Sequence, residues 1–146
     1  MALFSWLLSG CTSNTATLNI VVFNYTESAA FDLVIGESFV QGYHMEKSGG
    51  GKVVGGVPVP IGETTVSWYY DTYPDDPRPK SYFARKVDVV VPRPEKGDRF
   101  LGVHIYPGDV VEFSLTNGIT WKKKQGEPYD HDWLVKDPLY RGWDKE

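Results

Sequence analysis

Residues 17–25 read TLNIVVFNY. Leu18, Ile20 and Val22 alternate there with Asn19, Val21 and Phe23, and a period of two places each set on its own side of an extended chain. The stretch predicts a central β-strand. Working outward, residues 31–36 (FDLVIG) alternate in the same way, with Phe31, Leu33 and Ile35 on one face. Asn24-Tyr25-Thr26-Glu27-Ser28 between them has turn composition, so the two runs are expected to form a hairpin. A long glycine-rich connection follows over residues 36–56, containing Gly49-Gly50-Gly51, and Val53, Val54 and Val57 begin the return. Residues 64–70 (TTVSWYY) put Val66 and Trp68 on one face, and residues 85–91 (RKVDVVV) align Val87, Val89 and Val91. Residues 100–106 and 109–116 are two further strands joined by Pro107-Gly108, a turn dipeptide; Val111, Phe113 and Leu115 share a face of the second. No segment sustains a 3.6-residue period with caps. The expected fold is all-β, an immunoglobulin-like antiparallel β-sandwich. The polar, aromatic and irregular residues 121–146 are expected to pack across it as a tail, with their aromatic side chains as anchors.

The N-terminus carries a different kind of information. Residues 1–11 read MALFSWLLSGC, an apolar run ending in Leu8-Ser9-Gly10-Cys11, with the small polar residues Thr12, Ser13, Asn14 and Thr15 after it. This is a bacterial lipobox pattern, although no basic residue precedes the run. The small residues let the segment enter a signal-peptidase cleft extended, the Cys11 thiol accepts a diacylglyceryl group, and cleavage leaves Cys11 as the first residue. The run is shorter than the ~20 apolar residues a spanning helix needs, and a diacylated cysteine supplies the two chains that stable anchoring requires. The expected organisation is a signal segment over residues 1–10, a lipidated tether over 11–16 and one sandwich domain over 17–146 including the tail. Thr12 stands where an Asp would signal inner-membrane retention. It points to the outer membrane, facing the periplasm.

Composition narrows the function. With 15 Lys and Arg against 19 Asp and Glu, the formal net charge is −4. That lacks the basic footprint of a nucleic-acid binder. Cys11 is the only cysteine, so no disulfide can form within the chain and stability must come from packing. About 135 residues beyond the signal suffice for one domain with its own core. Five Trp and nine Tyr are a rich supply for both β cores and recognition surfaces.

The order of these elements resembles a family of small bacterial lipoproteins that serve as immunity proteins beside lipase effectors of the type VI secretion system. The residues that carry the likeness are Phe23-Asn24-Tyr25-Thr26, Phe31-Asp32-Leu33-Val34-Ile35-Gly36 and the cluster Gly49-Gly50-Gly51 leading to Val57-Pro58-Val59-Pro60. Thr65-Val66-Ser67-Trp68, Val87-Asp88-Val89-Val90-Val91-Pro92 and Leu101-Gly102-Val103-His104-Ile105 continue it. It spans roughly residues 18–113, together with the lipobox. Members often carry adjacent cysteines just before the valine-proline step, where this chain has Gly55 and Gly56. The resemblance implies a lipid-anchored binder that docks on a lipase effector and blocks substrate access, or the opening of the active-site cover. The partners it implies are the effector and the membrane; no cofactor and no small-molecule substrate are expected.

The residues offer little catalytic chemistry. There is no Gly-x-Ser-x-Gly elbow, and Ser67 lies mid-strand beside Trp68 as a packing or edge residue. His131 sits between Asp130 and Asp132, a spacing unlike the paired His or Cys ligands of zinc sites. His44 and His104 complete the histidines. Asp75 and Asp76 are adjacent on a proline-rich loop, whereas an acid/base pair must converge across a cleft. Gly49-Gly50-Gly51-Lys52 has the wrong spacing for a phosphate loop, and no helix follows it. The chain is therefore not expected to be an enzyme. The loop over residues 69–82 is the first candidate for partner binding, with Tyr69, Tyr70, Asp71, Tyr73, Asp75, Asp76, Arg78 and Tyr82. Its prolines limit the entropy lost on docking, Tyr and Arg are favoured at hot spots, and Asp can steer a basic partner. Trp133, Tyr140, Arg141 and Trp143 of the tail are the second. Two other readings stay open: a structural or assembly lipoprotein of the envelope or secretion machinery, and a carbohydrate-binding sandwich. The latter would need two or three coplanar aromatic rings on one exposed face.

Overall fold

The computed structural model describes residues 14–40, 42, 52–118, 120 and 122–129. Among the described residues, eight strands form two four-stranded sheets: β1 (Thr15–Asn24), β2 (Ala30–Ile35), β3 (Ser38–Val40), β4 (Val53–Pro60), β5 (Gly62–Tyr70), β6 (Ala84–Val91), β7 (Phe100–Tyr106) and β8 (Val110–Thr116). The first sheet has the order β4-β1-β7-β8 and the second β3-β2-β5-β6. The expected all-β sandwich is what the chain forms. Leu18, Ile20, Val22, Leu101, Val103 and Ile105 from the first sheet meet Leu33, Ile35, Val66, Trp68 and Val91 from the second in one buried core.

Three expectations change in detail. First, β1 is central as expected, but β1 and β2 make no hairpin, because β2 pairs with β3 and β5 in the opposite sheet. The five residues between them turn a corner from one sheet to the other. Asn24 builds that corner: its Oδ1 accepts the Thr26 hydroxyl at 2.7 Å and the Thr26 N–H at 3.1 Å, and its Nδ2 donates to the Ser28 carbonyl at 2.8 Å. Alternation tells which residues share a face. Two apolar faces can meet across an interior as well as side by side, so it does not say which sheet a strand joins. Second, the sandwich is not wholly antiparallel. β1 runs parallel to β7, pairing Ile20 with Leu101 and Val22 with Val103. Third, the connection over residues 36–56 holds strand β3 and the start of β4, and β1 begins at Thr15, where it pairs with Pro60, two residues before the expected domain boundary. The β7–β8 hairpin forms as expected, with Gly108 and Asp109 both at positive φ in its turn.

The two sheets differ in how they are covered. Along β6, exposed and half-buried residues alternate, as in a sheet with one wet face. Along β7 every residue after Phe100 is buried. Val21 and Phe23, on the face of β1 away from the core, are buried too. Thr120 and residues 122–129 run over this outer face. Thr120 and Lys123 are buried there, and the Tyr106 hydroxyl donates to the Lys123 carbonyl at 2.5 Å. That part of the tail packs across the sandwich as expected.

Candidate functional site

Two clusters of polar and aromatic side chains stand out, one sealed and one open. The sealed cluster lies between the outer face of the first sheet and the segment of Thr120 and residues 122–129. His104, fully buried, has Nδ1 2.9 Å from the Tyr25 hydroxyl and Nε2 2.8 Å from Ser114 Oγ, and Ser114 Oγ continues to Thr120 Oγ1 at 3.0 Å. The Tyr25 oxygen also accepts the Lys123 N–H at 2.9 Å. The rings of Phe23, Tyr25, His104 and Tyr106 stack nearly parallel, with Phe23 and His104 4.7 Å apart. Gly102 makes room for the row, since a Cβ there would collide with Ser114 Oγ and His104 Nε2. Lys123, also buried, forms an ion pair with Glu112, whose carboxylate accepts the Gly126 N–H as well.

Burial, with a smaller push from the Lys123 cation, lowers the His104 pKa to about 3, so the ring is neutral. Burial likewise raises the Tyr25 phenol to about 12. A neutral imidazole has one donor and one acceptor, so every member of the row can be satisfied. A histidine 2.8 Å from a serine hydroxyl has the spacing of a base and its nucleophile. Here Ser114 is buried and also held by Thr120, so no substrate atom reaches its Oγ, and the row acts as packing. The coplanar rings a sugar binder would display are, in this cluster, turned inside.

The open cluster lies at the end of the second sheet, where residues 71–79 and a 3-10 turn (Lys80–Phe83) link β5 to β6. Three cation-centred contacts shape it. Asp76 takes Arg78 in two parallel hydrogen bonds, to Nε at 2.9 Å and Nη2 at 2.6 Å, and also accepts the Arg78 backbone N–H at 2.9 Å. The Arg78 side chain holds the Asp76 carboxyl down at about 2, and the pair in turn keeps the guanidinium charged. The same guanidinium lies over Tyr82 at 4.6 Å and Phe83 at 4.8 Å. Next to it, Lys80 Nζ lies 4.4 Å from the Tyr69 ring centre and 5.3 Å from Phe31, whose rings stack on each other, and reaches Asp32 at 3.5 Å. Arg85 bonds to Asp109 at 3.1 Å and covers Tyr70, tying this end of the second sheet to the β7–β8 turn.

The structure thus joins Asp76, Arg78 and Tyr82, and places Tyr69 beside them on strand β5. Tyr73 is 80% exposed and Tyr82 55% exposed. Asp71 and Asp75 are also on the surface, Asp71 bonding the Thr72 N–H. Tyr70 belongs to β5 and turns inward, edge-on to Trp68 at 5.9 Å, and its burial raises the phenol pKa. Asp75 and Asp76 do not act as a pair, because Asp76 is engaged by Arg78. Ser67 lies on β5, an inner strand bounded by β2 and β6, and is no edge residue. Sequence reading did not single out Phe31, Asp32, Lys80, Phe83, Arg85 or Asp109. Phe31, Asp32, Arg85 and Asp109 join the cluster through strand register and positive-φ backbone, which no spacing in the chain encodes, and Lys80 and Phe83 through the 3-10 turn that leads into β6. Cys11, His44, His131, Trp133, Tyr140, Arg141 and Trp143 lie outside the described residues. Comparison of the chain with family models, curated proteins and solved structures returned no match.

Proposed function

We propose that this chain is a lipid-anchored, periplasm-facing immunity protein that binds a type VI secretion lipase effector and inhibits it by occlusion. The observation that supports a binder most directly is the open cluster. Its loop presents Tyr73 and Tyr82 to solvent on a frame already fixed by the Asp76–Arg78 fork and the stacked cations. A loop ordered before docking loses less entropy on binding, and Tyr and Arg are the side chains best suited to anchor an interface. The lipobox at Cys11 and the resemblance in strand order supply the rest of the reading, including the class of partner and the membrane.

The test is direct inhibition. The purified chain is titrated against the lipase effector that this reading places in the neighbouring gene, and phospholipid hydrolysis is followed. Turnover should fall to zero at a fixed whole-number ratio of the two proteins. Tyr73→Ala combined with Asp75→Lys should raise the dissociation constant at least about 30-fold, the loss of one hot spot of ~2 kcal/mol, while thermal unfolding stays near wild type. Cys11→Ser should move the protein from the membrane fraction to the soluble one. Lipase turnover that continues at saturating protein would overturn the reading, and full affinity in the loop variant would move the interface away from this loop.

A further inference from the structure

The four strands at the sheet edges are not equivalent. β3 is three residues long, and β4 carries Pro58 and Pro60 with the Ser38 hydroxyl bonded to the Pro58 carbonyl. β8 is engaged by the segment that follows it, through Ser114 to Thr120 and Glu112 to Gly126. β6 has eight residues, no Pro and no Gly, and its residues pair with β5 on one side only. Among the described residues no main-chain hydrogen bond reaches its other side. Val90 on this strand is 66% exposed, an unusual position for a valine on an open edge. Two grooves flank the strand. One of about 540 Å³ is lined by Glu63, Thr64, Thr65, Asp88, Val89 and Val90. The other, of about 430 Å³, opens beside Val89 and Val90 onto Val111 and Phe113 of β8. An added strand needs such a setting: main-chain groups to bond and space on both faces for alternate side chains.

Edge strands commonly carry charge to repel a second copy. The charges of β6 do not serve that purpose in every register. Lys86 and Asp88 are exposed and share one face, two residues apart. In a two-fold antiparallel pair, directly opposed residues point to the same face, so only registers centred on a residue are allowed. Centring on Lys86 or on Asp88 sets like charges opposite each other, which is destabilising. Centring on Val87 sets Lys86 opposite the second copy's Asp88, and the reverse, giving two cross-strand ion pairs, with Ala84 opposite Val90. We propose that β6 is a self-association edge, where two copies of this chain join antiparallel about Val87 into one continuous eight-stranded sheet. Residues 71–79 of the candidate loop precede the paired stretch in the chain.

The experiment is sedimentation velocity on the full chain carrying Cys11→Ser to remove the lipidated thiol, over a range of concentrations up to several hundred micromolar. The wild-type edge should give a dimer. Lys86→Asp and Asp88→Lys should each weaken dimerisation at least tenfold, because each sets like charges opposite one another, and the double exchange should restore it. Both positions are exposed, so circular dichroism should show the monomer fold unchanged. A monomer at all concentrations overturns the proposal. So does a dimer indifferent to these exchanges, or a double exchange that fails to recover. A monomer whose β6 amides become protected only when an extended peptide is added would assign the edge to a foreign strand, and would equally overturn it.

Discussion

His104 makes a quantitative demand on the fold. In the native chain its pKa is about 3, against an ordinary value of 6.5. The unfolded chain therefore binds a proton between these values that the folded chain refuses, and stability must fall as pH falls through this window. Above pH 6.5 both states are neutral at this site and it adds no slope. Below 6.5 the loss approaches ~1.4 kcal/mol per pH unit, and at pH 5 it amounts to about 2 kcal/mol. For a domain of this size that lowers the midpoint of thermal unfolding by roughly 7 °C, or the urea midpoint by about 1 M. The assay is urea unfolding followed by tryptophan fluorescence at pH 7, 6 and 5. The assayed range, pH 5 to 7, lies above the ordinary range of carboxylates, and Asp76, at about 2, does not titrate within it. His104→Gln supplies the control. It lacks the ring that stacks on Phe23 and starts less stable, but it cannot be protonated, so its stability should change much less between pH 7 and 5. Equal wild-type stability at pH 7 and 5, or an equal fall in the Gln variant, would refute the argument that the ring is sealed and neutral.

Gly102→Ala should cost about 2–4 kcal/mol in urea unfolding, since its methyl group must displace the His104–Ser114 contact from a packed site. Asn24→Ala should cost about 1–3 kcal/mol, because it leaves the Thr26 N–H without its acceptor and takes one partner each from the Thr26 hydroxyl and the Ser28 carbonyl, which keep their bond to each other at the corner between sheets. Arg78→Ala should leave the calorimetric midpoint within a degree or two, the Arg78 side chain being half exposed, yet weaken binding of the proposed effector, measured by titration calorimetry, about tenfold or more, because Tyr82 and Asp76 lose the group that contacts them both.

The legibility of the chain divides along a physical line. The alternation of Leu18, Ile20 and Val22 with Val21 and Phe23 marks β1 as extended and central, and Pro107-Gly108 marks the turn between β7 and β8. These signals are local. The sheet that β2 would join was not legible, since an apolar row containing Leu33 and Ile35 fits either sheet, and neither was the irregularity at Asp32 that puts Ala30 in the core and stacks Phe31, expected on the same face as Leu33, on Tyr69 instead. The candidate loop was partly legible: Tyr73, Asp76, Arg78 and Tyr82 crowd a proline-rich stretch, and three of them do cluster. Tyr70 stands in the same stretch and turns inward, because strand β5 continues through it and side chains on a strand alternate.

The order of residues by itself determined that this chain folds into β-strands, where most of them run and which side chains share a face. A period of two is imposed by backbone geometry and needs no knowledge of neighbours. Only the tertiary structure decided that β1 lies parallel to β7, that Thr120 and residues 122–129 roof the outer face of the first sheet and make His104 a buried neutral ring, and that Lys80 stacks on rings brought to it from β2 and β5. Those outcomes depend on contacts between residues far apart in the chain. Their energies arise from desolvation and register, quantities that take values only after the sheets have closed on each other.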